Sequence, residues 1–135
     1  AEKATFVFRG YPVVYEWGKP ATRALEATFA RSEDAFWALK DHYYAEQSSF
    51  STNNVLSKTE SFVEGETDVD AGAVVTEAEK TEGTAAVDAV QVDLDAGDAA
   101  GTSVTPTLYL FRNGNYQTKA ASSVDYGTLK ATLGV

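Results

Sequence analysis

The sequence predicts an α/β chain, and three observations carry that reading. Short apolar runs rich in β-forming residues lie near both ends, Thr5-Phe6-Val7-Phe8 and Thr107-Leu108-Tyr109-Leu110-Phe111. Between them, apolar residues recur at the three- and four-residue spacing of helices. An Asn113-Gly114 pair follows the second run, and it is a strong two-residue signal for a hairpin.

The elements follow in order. The first run is continuous and apolar, so it reads as a buried strand, closed by Arg9-Gly10-Tyr11-Pro12. Residues 13–18 are extended or loop. Pro20 suits a first helical position, and Ala21, Ala24, Leu25, Thr28 and Phe29 give about three helical turns. Ser32 is an N-cap for the next helix, with Glu33 and Asp34 suited to its dipole. There Phe36, Leu39 and Tyr43 form one stripe, widened by Trp37 and Tyr44, which reads as core.

Ser51-Thr52-Asn53-Asn54 is a polar connector. Val55, Leu56, Thr59, Phe62 and Val63 fit a third helix, stopped by Glu64-Gly65-Glu66-Thr67. Asp68 or Asp70 caps a fourth, running through Lys80 to a break at Gly83. Residues 84–101 satisfy both periods. Val90, Val92 and Leu94 alternate as in a strand, while Val87, Val90, Leu94 and Gly101 share a helical face. After the hairpin, residues 116–121 form the returning strand. Ser123 or Asp125 then caps a last helix carrying Tyr126, Leu129 and Leu133.

Composition excludes several classes. The 135 residues are 44% hydrophobic with 16 aromatics, which is globular composition and the size of one domain. No apolar run approaches the ~20 residues of a membrane span. There is no cysteine, so this chain alone has no disulfide, thiolate metal site or thiol catalysis. Residues 60–98 hold twelve acids and one base, Lys80, for a net charge of −11 against +2 elsewhere. Nucleic acid is therefore excluded as a partner, since phosphate needs Lys and Arg. The acidic stretch lacks the EF-hand order and reads as a solvated face suited to solubility in high salt. No Gly-x-Ser-x-Gly elbow, P-loop or His-Glu-x-x-His appears, and the lone His42 makes no metal site. No cofactor is implied.

Val104-Thr105-Pro106-Thr107, the strand and Asn-Gly hairpin after it, and the last helix resemble the C-terminal ββα half of a thioredoxin fold. The helical block from Pro20 to about Gly83 is similar to the insertion that marks DsbA-like thiol–disulfide oxidoreductases. Phe8-Arg9-Gly10-Tyr11-Pro12, the alanine-rich helix and Phe36-Trp37-Ala38-Leu39-Lys40-Asp41 resemble that family too. The resemblance implies an incomplete thioredoxin-like fold of the DsbA type, with a helical insertion between the early strand and the ββα unit. One domain, 1–135, would then have residues 1–18 and about 84–135 as thioredoxin core and about 19–83 as insertion. It also implies a helix over about 84–100, against the alternation.

The resemblance further implies a cis Pro106 and a substrate-binding set of Val104, Thr105 and Pro106. Pro106 lacks a backbone donor, and the Thr105 backbone would pair with an extended protein or peptide substrate. No catalytic residue transfers, because the family's first strand and its Cys-x-x-Cys helix have no counterpart here. That first strand lies between the second strand and the hairpin, so without it the backbone edges stay open. Either another polypeptide supplies the strand and helix, or residues 5–8 pair directly with the hairpin, with homodimerisation. The first is the favoured expectation. The function read here is a portion of a DsbA-like oxidoreductase that holds substrate but is inactive in thiol exchange by itself. The alternative is a cysteine-free thioredoxin-like binding module.

Overall fold

The structure, a computed structural model, describes residues 4–135. Among them the fold is mixed α/β, with six α-helices and one two-stranded antiparallel sheet. They group into two compact units. One is Gly10–Ala96, and the other is Gly97–Val135 together with residues 4–9.

The helical unit holds α1 (Gly18–Phe29), α2 (Glu33–Ala45), a 3-10 turn (Gln47–Ser49), α3 (Val55–Glu66), α4 (Ala71–Glu79) and most of α5 (Ala85–Ala99). Polar caps start several of these helices. The Ser32 hydroxyl accepts from the Ala35 amide at 3.2 Å, Asp70 from Ala73 at 3.0 Å, and Thr84 from Val87 at 3.1 Å. Each serves an amide that has no partner inside its own helix. Pro20 stands third in α1, still within the first turn, where a missing amide costs nothing. Gly65, expected to stop α3, lies inside it, and Thr67 is the C-cap.

Small side chains set the core. Ala24 and Ala27 of α1 meet Val74 and Ala78 of α4 and Ala86 of α5. Leu39, Val55 and Val63 are also fully buried. The Arg23 Nε donates to the Ala78 carbonyl at 2.7 Å, satisfying an orphan acceptor in the last turn of α4. Burial lowers the Arg23 pKa from its ordinary value. Trp17, Tyr43 and Phe50 close an aromatic cluster, with ring centroids 5.2–6.2 Å apart.

The smaller unit holds β1 (Thr107–Arg112), β2 (Asn115–Ala121) and α6 (Tyr126–Leu133). Asn113 and Gly114 both have positive φ, 54° and 78°, as a two-residue type I′ turn requires. Asp125 caps α6 by accepting from the Thr128 amide at 3.0 Å. The ladder runs from Thr107↔Ala121 to Leu110↔Thr118, then continues as Phe111↔Tyr116. Gln117 is therefore the extra residue of a β-bulge.

One expectation is overturned. Residues 4–10 form no strand and stay outside the sheet, and Phe6 and Val7 are 64% and 72% exposed. An apolar β-prone run becomes a buried strand only when a ladder neighbour and a covering layer are present. The sheet here consists of β1 and β2, so the early strand of the expected fold is not formed, nor is its direct pairing with the hairpin.

Candidate functional site

The loop between α5 and β1 is the candidate site. Gly101 ends α5 in the left-handed region, φ 71°, and its amide donates back to the Asp98 carbonyl at 3.0 Å. The chain then crosses the expected residues in turn. Val104 is exposed, Thr105 is half-buried and Pro106 is exposed. The Thr105–Pro106 peptide bond is cis.

Three contacts hold the loop. The Thr107 hydroxyl donates to the Val104 carbonyl at 2.6 Å. The Ser122 amide donates to the Pro106 carbonyl at 2.8 Å. The hydroxyls of Thr102 and Tyr109 lie 2.6 Å apart. Among the described residues, nothing hydrogen-bonds the amides of Ser103, Val104 and Thr105 or the carbonyl of Thr105. The loop is thus fixed at its flanks and open in the middle. Backbone groups left this way take partners from water or from another chain.

β1 continues the same path. One edge pairs with β2, and the other carries no ladder among the described residues. Its two faces differ. Leu110 is buried, and α6 packs on β1, with Gly134 of the chain end against the Arg112 guanidinium. The other face carries Tyr109, Phe111 and Tyr116. Their rings touch in a row, Tyr109 to Tyr116 at 6.5 Å and Tyr116 to Phe111 at 5.8 Å. Phe111 and Tyr116 are 55% and 54% exposed.

The three expected residues therefore sit together on one open loop. The aromatic face was not anticipated. Its signal was present in Leu108-Tyr109-Leu110-Phe111, where aliphatic and aromatic side chains alternate, and the two-residue turn sets Tyr116 opposite Phe111; the bulge is what brings Lys119 opposite Tyr109. The helical unit offers open depressions instead. One of about 670 Å³ is rimmed by Arg31, Asp34, Glu66, Asp68 and Asp70. Asp70 is already occupied as a helix cap. No group of three or more His, Cys, Asp or Glu among the described residues could hold a metal ion. The Glu26 carboxyl, pushed above the usual range by burial and then by Asp93, belongs to the helical unit. No helix among the described residues is long and apolar enough to cross a membrane.

Comparison of the chain with protein-family models, with curated proteins and with solved structures returns no match.

Proposed function

We propose that this chain is the substrate-holding portion of a DsbA-like thiol–disulfide oxidoreductase with a thioredoxin-like architecture. The observation that carries the reading is the open backbone of Ser103, Val104 and Thr105, set directly before a β-hairpin and a packed helix. An extended protein segment would hydrogen-bond there as an added strand, the mode by which backbone recognition accepts many sequences. The open edge of β1 would take the strand that precedes the redox helix, supplied by another segment or chain. Thiolates on that segment would attack a substrate disulfide and pass through a mixed disulfide. The chain alone, lacking cysteine, would hold substrate without exchanging thiols.

The test joins this chain to its natural upstream coding segment and measures dithiol-dependent insulin reduction. Turnover with the joined protein and none with the chain alone supports the reading. An inert joined protein, or an upstream segment without a Cys-x-x-Cys, sinks it. The zero cysteine count favours a second reading, a thioredoxin-like module that binds peptides with no redox step. Peptide binding by the chain, with no thiol dependence in any longer form, selects that reading.

A further inference from the structure

We propose that the aromatic face of the hairpin is a specificity surface for extended protein segments with large apolar or aromatic side chains at alternate positions and a carboxylate beside them. The inference rests on the loop being a backbone-holding site. Tyr109, Tyr116 and Phe111 form a row with ring centroids 6.5 Å and 5.8 Å apart. Alternate side chains of an extended segment stand about 7 Å apart, so a bound segment falls in step with that row. The Thr102–Tyr109 hydroxyl contact ties the first ring to the loop itself.

Charge fixes the second half of the specificity. Lys119 stands directly opposite Tyr109 in the ladder, hence on the same face, and has no ion-pair partner among the described residues. Between Asp98 and Asp125 the chain contains no Asp or Glu, whereas Gly10–Ala96 carries seventeen acids against six bases. An acid-free aromatic surface bearing a lysine, on so acidic a chain, complements a carboxylate. It offers nothing to a cationic segment except the faces of rings.

The test is fluorescence anisotropy with the full chain and a dye-labelled octapeptide of alternating Phe and Ser ending in two Asp. Controls replace the Asp pair by Lys, or the Phe residues by Ser. The Asp peptide should bind about two- to five-fold more tightly than the Lys peptide. Phe111→Ser and Tyr116→Ser should each weaken it about two- to ten-fold. Lys119→Glu, a change at an exposed position checked by circular dichroism, should reverse the Asp-over-Lys preference. Thr105→Pro, which removes an open amide, should weaken all peptides alike. If Thr105→Pro acts and the face variants do not, the specificity surface is wrong and the loop reading stands. Loss on the face with no effect of Thr105→Pro overturns the loop reading instead. Self-association of the chain abolished by Phe111→Ser makes the face a contact between copies and overturns the inference, and no binding of any peptide overturns both.

Discussion

The buried pair of Tyr43 and Thr59 can be taken apart one hydroxyl at a time. The two side chains are 4% and 0% exposed, and their oxygens lie 2.6 Å apart. Thr59 has one proton, which it donates to the Val55 carbonyl at 2.6 Å. The Tyr43 hydroxyl must therefore be the donor between them, and Thr59 the acceptor. The two single deletions are then unequal. Tyr43→Phe removes a donor but leaves Thr59 bonded, at a cost of about 1 kcal/mol. Thr59→Val strands a buried O–H, at about 2–3 kcal/mol. The double variant leaves no polar group behind and should cost less than the sum by about 1–2 kcal/mol. Urea unfolding followed by circular dichroism measures all four proteins. Strictly additive costs, or a Tyr43→Phe more damaging than Thr59→Val, would refute the assigned direction.

The same phenol gives a pH dependence with a definite sign. Burial raises the Tyr43 pKa well above the ordinary phenol value. The unfolded chain therefore releases this proton first, near pH 10, so the stability that the buried phenol contributes is whole below about pH 10 and is lost progressively above it. The stability gap between wild type and Tyr43→Phe should narrow as pH rises beyond about 10, and a constant gap contradicts it.

Other outcomes follow from single contacts. A Cβ at Gly10 would lie 2.5 Å from Thr22 Cγ2, and the buried Thr22 is held by its own bond to the Gly18 carbonyl. Gly10→Ala should therefore cost about 1–3 kcal/mol in chemical denaturation. Glu26 is raised in the native state, so its ionisation opposes folding once pH exceeds the ordinary carboxylate range. Glu26→Gln should stabilise at neutral pH by less than about 1 kcal/mol, given its partial exposure, and by nothing below about pH 4. Asp70→Ala should cost about 1 kcal/mol and speed amide exchange in the first turn of α4.

Local chemistry was legible because it is decided locally. Ser32, Asp70 and Asp125 cap the helices they were expected to start, and Asn113-Gly114 turns the chain. The helix over residues 85–99 was legible only through a resemblance. Val90, Val92 and Leu94 alternate, yet Val92 is 59% exposed and the buried positions are Ala86 and Val90, four apart. The first apolar run misled because β-propensity measures fitness for a sheet surface, and among the described residues the sheet consists of β1 and β2 alone, with no ladder to that run. The loop residues were legible and so was the pairing of Tyr116 with Phe111 across a two-residue turn, while the placing of Lys119 opposite Tyr109 depended on a bulge that no spacing in the sequence reveals.

That register has an evolutionary consequence. In β2 the side chains of Tyr116 and Lys119 share one face although they stand three positions apart, because Gln117 is absorbed by the bulge. Removing Gln117 would restore strict alternation and keep Tyr116 opposite Phe111 and Lys119 opposite Tyr109. A one-residue deletion between Thr118 and Ala121 would instead turn part of the strand over. Position 117 is thus the one place in this strand where relatives could differ in length by a residue and still show the same side chains to a partner.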